Sequence, residues 1–252
     1  MPEITEFDEA LLDVEAVASR LAVGSITIHR WCRDGRLRCL KPGKSWRIRR
    51  SDLDAFLMRS QQPQTLRGHL ERFLTVPDQV LTVAEDAALL TQFDAAFFQA
   101  GAARDALLVK FYDRRAVSHA VQRAALQQHG LDIDGLDRQG RFRWCPETSL
   151  EGGVVSLQHI LSEEMDAEQP LWAMFNWPSV GDMRAKLHQQ EALAALISNH
   201  PRLVVCTGVV EPEPDAWPPI QEQWQLLGSL RGLIRYARTG LMLSRVVKLP
   251  SA

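Results

Sequence analysis

The first part of the chain carries apolar residues at helical spacing, interrupted by turn residues. Apolar positions recur every three or four residues in 14–21, which predicts a helix with Asp13 as its N-cap. After a short turn at 22–24, the same spacing predicts a second helix over 25–33. Gly35 suits the left-handed position that ends a helix, so we expect this second helix to stop there.

A basic segment with a central glycine follows the second predicted helix. The stretches 37–41 and 46–49 alternate apolar and polar residues around the turn sequence 42–45, which predicts a β-hairpin. A third helix is predicted over 52–58, with Ser51 as its cap. Helix, turn, helix, hairpin and helix, in this order, are typical of a winged helix-turn-helix.

Beyond residue 70, apolar runs of strand length alternate with longer helical segments. The predicted strands are 80–83, 106–112, 142–145, 171–177 and 203–210, and the predicted helices are 86–100, 115–129, 150–166 and 183–199. This alternation is typical of an α/β domain with a mostly parallel sheet. The proline-rich stretch 211–225 interrupts it, and 226–248 fits either a final strand pair or an amphipathic helix.

These patterns divide the chain into two domains. We predict a winged helix-turn-helix domain over 1–60, a polar linker over 61–69 and a larger three-layer α/β domain over 70–252. The fold class is therefore α/β with a small helical N-terminal domain.

The charge of the chain is distributed unevenly between these domains. The net charge is −2, yet residues 20–50 hold ten Lys or Arg against one acid, Asp34. After residue 60 there are 18 basic against 22 acidic residues. This asymmetry indicates that the N-terminal domain binds phosphate, and the domain type makes double-stranded DNA the expected partner.

The second helix would enter the major groove, because a helix fits that groove and its N-terminal half reaches base edges. Ile28, Trp31 and Cys32 share one face and should point to the core. The remaining polar and basic side chains of this helix and of the hairpin supply donors for phosphates and bases. The predicted DNA-binding residues are Ser25, Thr27, His29, Arg30, Arg33, Arg36, Arg38, Lys41, Lys44 and Arg47.

This N-terminal domain resembles the excisionase-type, MerR-related DNA-binding domain. The resemblance rests on the segments 13–21, 31–37 and 46–53, the last two of which read W-x-x-x-G-x-L and W-R-I-x-x-S-D-L in register. Gly24 stands where the family usually has a Ser or Thr cap, and Ser25 and Ile26 stand where it often has basic residues. The base preference of the family is therefore not carried over to this chain.

The larger domain resembles a known class of sensory domain. Its strand at 107–112, Trp144 and the run from Trp172 to Trp177 occur in an order similar to the MEDS domain of the dichloromethane-responsive repressor type. That class is similar to a RecA/KaiC-type ATPase that has lost its phosphate loop. The resemblance covers roughly 70–248 and implies a regulator that responds to a small effector, such as a nucleotide or second messenger.

Ligands of parallel α/β sheets bind at the carboxyl ends of the strands. The candidate effector residues at these ends are Lys110, Tyr112, Arg114, Arg115 and Trp177, and Trp172, near the start of the strand that Trp177 ends, is a further candidate. The two arginines would hold an anion at a helix N-terminus, and the tryptophans would stack on a planar or apolar ligand. In the alternative interpretation, the tryptophans belong to the core and the arginines to the solvated surface.

The sequence lacks the common motifs of enzymes and of metal sites. There is no GxxxxGK[ST], GxGxxG, GxSxG or HExxH, so we predict no catalytic residues, no cofactor and no enzymatic activity. The four cysteines have no CxxC spacing and the histidines are scattered, so we expect buried thiols in a reducing compartment and no metal site. The acidic start and the absence of a long apolar run predict a cytoplasmic protein with no membrane partner.

The favoured function is a sequence-specific transcription regulator whose larger domain binds a small effector and forms a homodimer. Leu226, Leu230, Leu233 and Ile234 lie at helical spacing and are one candidate for the dimer surface. The alternative functions are a degenerate ATPase brought to DNA by the N-terminal domain, and an excisionase-like recombination accessory protein.

Overall fold

The chain folds into two compact units, 1–63 and 64–252, called below the N-terminal and the C-terminal unit. The computed structural model describes residues 11–60, 65–147, 149–163, 168–177, 183–211 and 219–246. The boundary differs from the predicted linker 61–69, of which 61–64 lie outside the described residues. Helix α4 (Leu66–Phe73) begins inside that segment, and its Leu70 is fully buried in the C-terminal unit.

The N-terminal unit contains the three helices that the sequence predicts, but the third begins at Arg50, so Ser51 lies inside its first turn and the predicted cap is wrong. Its elements are β1 (Leu11–Asp13), α1 (Val14–Arg20), α2 (Ser25–Arg33), β2 (Arg47–Arg49) and α3 (Arg50–Ser60). Asp13 caps α1 by accepting a hydrogen bond from the backbone N–H of Ala16 at 2.7 Å. Gly35 has a φ of 70°, which confirms the left-handed conformation expected after α2.

The hairpin is shorter than the alternating pattern predicts. Leu40 and Arg47 form one isolated antiparallel bridge, with both backbone hydrogen bonds at 2.7 Å. From Arg47 onward the strand pairs instead with β1, in a register that places Leu12 opposite Ile48. The sequence pattern does not reveal this pairing, because the two strands of three residues are far apart along the chain.

Cys32 and Cys39 form a disulfide bond, so the expectation of four free thiols is wrong. Cys32 lies in the last turn of α2, and the turn at Gly35 reverses the chain so that the two Cα atoms are 5.4 Å apart. The bond borders the core formed around Ile28, Leu37 and other buried residues of this unit. Cys145 and Cys206 are free thiols, and Cys206 is buried as predicted.

The C-terminal unit is an α/β layer structure built on a sheet of seven strands among the described residues. Its strands are β3 (Asp78–Ala84), β4 (Leu107–Asp113), β5 (Phe142–Glu147), β6 (Leu171–Asn176), β7 (Leu203–Val210), β8 (Gly232–Ala237) and β9 (Gly240–Arg245). Its remaining helices are α5 (Ala87–Ala102), α6 (His119–Gln128), α7 (Ile133–Arg138), α8 (Leu150–Glu163), α9 (Met183–Asn199) and α10 (Ile220–Ser229). The strand order is β5-β4-β6-β7-β3-β8-β9, and only the β8–β9 pair is antiparallel.

Alternate residues of each strand enter cores on opposite faces of this sheet. On one face, Leu108 and Trp172 pack with Phe97 of α5 and with residues of α4, α6 and α7. On the other face, Val109 packs with α8 and α9, and a further cluster packs beneath α10. Helices therefore cover both faces, which confirms the predicted three-layer fold class.

The end of the chain forms α10 followed by the β8–β9 pair, which confirms the first of the two predicted alternatives. Residues 212–218, within the proline-rich stretch, and 247–248 lie outside the described residues. The surface proposed for dimerisation is wrong, because Leu230 and Ile234 are fully buried inside this unit and cannot contact a partner. α7 is a further difference, since the hydrophobic pattern predicts no helix there. Within the described part of the chain, no helix has the length and apolar character needed to span a membrane.

Candidate nucleic-acid interface and polar cluster

Helix α2 has a buried apolar face and an exposed polar face, as the sequence predicts. Ile28 and Cys32 are buried in the core of the N-terminal unit, and Trp31 packs on Phe56 with ring centroids 5.0 Å apart. Gly24 occupies the N-cap position and makes no side-chain hydrogen bond to the helix. The backbone N–H groups of the first turn therefore lack a side-chain cap, which is the arrangement that phosphate oxygens can complete.

All ten predicted DNA-binding side chains lie at the surface of this unit. Ser25, Thr27 and Arg47 are half-buried. The others are exposed: His29, Arg30, Arg33, Arg36, Arg38, Lys41 and Lys44. Contact of these residues with DNA stays a prediction.

Aromatic rings hold two of these cations in place, whereas others are available to bind an external anion. The Arg36 guanidinium lies 5.8 Å from the centroid of the Trp31 ring, and the Lys41 ammonium lies 5.2 Å from that of Trp46. Within the described residues, Arg30 and Lys44 make no ion pair. We call the hairpin segment 37–49 the wing. The exposed surface of α2 and the wing is therefore a cationic face, in which few of the cations are paired with acids of this unit.

In the C-terminal unit, Lys110 belongs to a buried polar cluster. Its ammonium donates to Asp94 Oδ2 at 2.6 Å, and the two side chains are only 2% and 4% exposed. Asn176 also donates to Asp94 Oδ2, at 2.9 Å. We call Asp94, Lys110 and Asn176 the polar cluster.

The polar cluster lies where ligands of open α/β sheets bind. The helices after the neighbouring strands β4 and β6 pack on opposite faces of the sheet, and ligands of open α/β sheets bind outside the carboxyl ends of strands at such a switch point. Asp94 Oδ1 and Asn176 Oδ1 are buried there without a hydrogen-bond partner in the described part of the chain. Two buried acceptors without donors are costly, so they favour a donor from water or from a ligand.

The two predicted effector tryptophans lie on opposite faces of the sheet. Trp172 is fully buried, with its ring 4.9 Å from Phe97 and 5.3 Å from the Arg104 guanidinium. Trp177 is buried on the other face and donates from Nε1 to Gln189 at 2.7 Å. The structure therefore does not bring these two rings together.

The other predicted effector residues lie near the end of β4. Tyr112 is half-buried, and its ring contacts Trp144 at 5.8 Å and His119 at 6.0 Å. Arg114 and Arg115 are exposed in a turn, because α6 begins only at His119 with Ser118 as its cap. Their predicted position at a helix N-terminus is therefore wrong, whereas ligand binding by these residues stays a prediction.

Asp94 and Glu147 are two acids of this unit that were not predicted from the sequence and that are prominent in the structure. Asp94 interrupts the apolar face of α5 between Phe93 and Phe97, which is a signal visible in the sequence. Glu147 ends β5 beneath Gly153, and its Oε1 is buried without a partner among the described residues. Burial raises the pKa of Glu147 to about 7; Lys110 opposes this shift and Asp113 reinforces it.

The raised pKa of Glu147 predicts a pH-dependent stability. The folded protein binds the proton of Glu147 more tightly than the unfolded chain does. The contribution of protonated Glu147 to the free energy of unfolding is therefore fully present below about pH 4.5 and is lost as the pH rises through about 7. The shift corresponds to a loss of about 3 kcal/mol, which Glu147→Gln should abolish because an amide does not ionise. Urea unfolding at several pH values measures this difference, and parallel profiles of the two proteins would contradict it.

The N-terminus of α5, directly after the first strand of the sheet, is occupied by the protein's own carboxylate. Asp86 accepts from the backbone N–H of Leu89 at 2.8 Å and from Arg238 at 2.8 Å. These bonds lower the pKa of Asp86, and the hydrogen bond from the backbone contributes most.

Within the described ranges, no group of three His, Cys, Asp or Glu is arranged to hold a metal ion.

Comparisons with known proteins agree with this division into two units. Residues 11–61 match the helix-turn-helix domain family, and no curated protein matches the chain. A solved KaiC-like protein from the hyperthermophilic archaeon Pyrococcus horikoshii OT3 is similar at a TM-score of 0.50 and 11% identity, over 69% of this chain and 81% of that one. A solved ATPase domain is similar at a TM-score of 0.46 and 9% identity, over 73% and 80% of the two chains.

At such identities the structural likeness shows the fold alone. The sheet of the C-terminal unit, with helices on both faces, is that of a RecA/KaiC-like α/β fold. The N-terminal unit of this chain is a helix-turn-helix domain of the DNA-binding type.

Proposed function

We propose that the protein is a sequence-specific transcription regulator that binds double-stranded DNA through α2 and the wing. The observation that carries this proposal is the cationic face of α2 and the wing, on a helix-turn-helix domain. Lys and Arg side chains release counterions when they neutralise DNA phosphates, which provides affinity. Hydroxyl, imidazole and guanidinium groups on α2 provide the donors that read base edges.

The first test removes one cation from α2 and one from the wing. We expect Arg30→Ala and Lys44→Ala each to weaken DNA binding and to lower the slope of log K against log salt concentration by about 1. Fluorescence anisotropy with a labelled duplex over a series of salt concentrations measures both quantities.

Arg138→Ala is the matched control for these two variants. Arg138 is an exposed cation of the C-terminal unit, so its removal changes the net charge equally without touching the proposed interface. Unchanged affinity and slope in both Arg30→Ala and Lys44→Ala, or an equal loss in the control, would contradict the assigned face.

We further propose that the C-terminal unit binds a small effector, forms a homodimer and has no catalytic role. The polar cluster supports effector binding, because it offers unpartnered acceptors next to the switch point between β4 and β6. Dimerisation follows from the small size of one helix-turn-helix, since two half-sites are needed for tight and specific binding.

A thermal-shift screen of the full chain tests the effector proposal. The probes are nucleotides, second messengers and small halogenated or aromatic compounds. A ligand that binds the folded state stabilises it by mass action, so a hit raises the melting temperature as its concentration rises above Kd. Asp94→Asn should reduce the shift if the polar cluster contacts the ligand, and an unchanged shift would place the site elsewhere.

The second candidate function is an ATPase directed to DNA, favoured by the RecA/KaiC-like fold. The sequence lacks a glycine-rich phosphate loop, and Asp86 occupies the helix N-terminus that follows the first strand. ATP hydrolysis measured with and without duplex DNA separates the two functions. Turnover above background would contradict the purely sensory role.

A further inference from the structure

Ile26 is the most exposed large apolar side chain that the structure describes. It is 83% exposed, compared with 68% for Trp224 and 65% for Val155, the next two. A single exposed apolar residue is common on protein surfaces and needs no explanation by itself. Its position is what distinguishes Ile26, since it is the second residue of α2, in the half of that helix that reaches base edges.

Ile26 lies on the outer face of α2, opposite the core. Ile28, two residues further, is fully buried, and a step of two residues turns a helix by about 200°. The residues that share the face of Ile26 follow it at three, four and seven positions, and they are His29, Arg30 and Arg33. All three are exposed, so Ile26 begins a stripe that is otherwise polar and contains two arginines.

When α2 enters the major groove with this stripe facing the bases, the side chain of Ile26 is removed from water. The edges of bases in the major groove are hydrogen-bonding groups, with one aliphatic exception: the 5-methyl group of thymine. A branched aliphatic side chain offers no hydrogen bond but gains free energy when it buries a methyl group. Among the base edges of the major groove, the methyl group of thymine is therefore the one that the apolar side chain of Ile26 can contact favourably.

We infer that Ile26 selects a thymine in the bound sequence through contact with its 5-methyl group. This inference rests on the proposed function and adds to it a base that the chain prefers and the residue responsible. The neighbouring donors of α2 recognise phosphates and other base edges, whereas Ile26 recognises the one apolar feature of the groove.

The experiment compares thymine with deoxyuridine, which pairs identically with adenine and lacks only the methyl group. A preferred duplex is first selected by the full chain from a random library, and each thymine is then replaced singly. We expect one replacement in each half-site to weaken binding of the native chain about fourfold, which is the value of burying one methyl group. The same replacement should leave the affinity of Ile26→Ala unchanged.

Val121→Ala is the matched control, because Val121 is a 60% exposed apolar residue on a helix of the C-terminal unit. This variant should retain the fourfold difference between thymine and deoxyuridine. Because Ile26 makes no core contact and alanine favours helix, Ile26→Ala should fold normally, which circular dichroism checks. The comparison of two proteins on the same two duplexes also cancels any change that deoxyuridine makes in DNA shape.

The possible outcomes separate this inference from the proposed function. If the chain selects no sequence and binds no duplex, the proposed function fails and the inference fails with it. If the chain binds a selected sequence but Ile26→Ala retains the methyl dependence, or no thymine shows it, the inference alone is overturned. A change of oligomeric state in Ile26→Ala without a methyl effect would overturn it too, and would assign Ile26 to a protein contact instead.

Discussion

Lys110→Met is expected to lower the free energy of unfolding of the C-terminal unit by about 3–5 kcal/mol. Lys110 and Asp94 are almost fully buried and only 2.6 Å apart, so removal of the ammonium leaves an isolated carboxylate in an apolar core. The lost attraction is not replaced by another charge, because the other donor to Asp94 in the described residues is the neutral amide of Asn176. Chemical unfolding followed by circular dichroism measures the change.

The double variant Lys110→Met and Asp94→Asn separates charge from packing. The amide introduced by Asp94→Asn is neutral and could still accept the hydrogen bond from Asn176, so no unpaired charge remains. We expect this variant to recover a large part of the lost stability, since a neutral buried pair is much less costly than a lone charge. A double variant no more stable than Lys110→Met would show that the ion pair does not control stability here.

Reduction of the Cys32–Cys39 bond is expected to destabilise the N-terminal unit by about 2.5 kcal/mol. The bond closes a short loop that joins the end of α2 to the start of the wing. A unit of this size has a total stability of about 3–9 kcal/mol, so the loss is a large fraction of it. We therefore expect reduction to weaken DNA binding as well as folding.

Thiol counting tests the bond directly. The denatured but unreduced chain should contain two reactive thiols, Cys145 and Cys206, and the reduced chain all four cysteines of the sequence. Cys39→Ser should make melting of the N-terminal unit insensitive to reductant, whereas the control Cys145→Ser should retain the native response. Four thiols before reduction would contradict the disulfide.

Local chemistry explains which parts of the fold were predictable. The caps at Asp13 and Gly35 act within a few residues, and helical spacing fixed α2 to its observed limits. In the C-terminal unit, apolar runs of strand length located every strand from β3 to β7, because a buried strand is recognisable from its own residues. For the same reason, the polar stripe of α2 was predictable from helical spacing alone.

The features that were not predictable depend on contacts between distant segments. Arg47–Arg49 pairs with β1 instead of extending the hairpin, and the run 226–248 contains strands because β8 pairs with the buried β3. The two strand pairings are determined by partners that lie elsewhere in the chain.

The sequence by itself determined the two-part architecture, the helix-turn-helix and the alternation of strands and helices, because hydrophobic spacing, caps and charge act locally. Only the tertiary structure decided the strand order, the Lys110–Asp94 pair and the Cys32–Cys39 bond. These depend on which surfaces meet after the chain folds, and burial in a shared core, not position in the sequence, selects them.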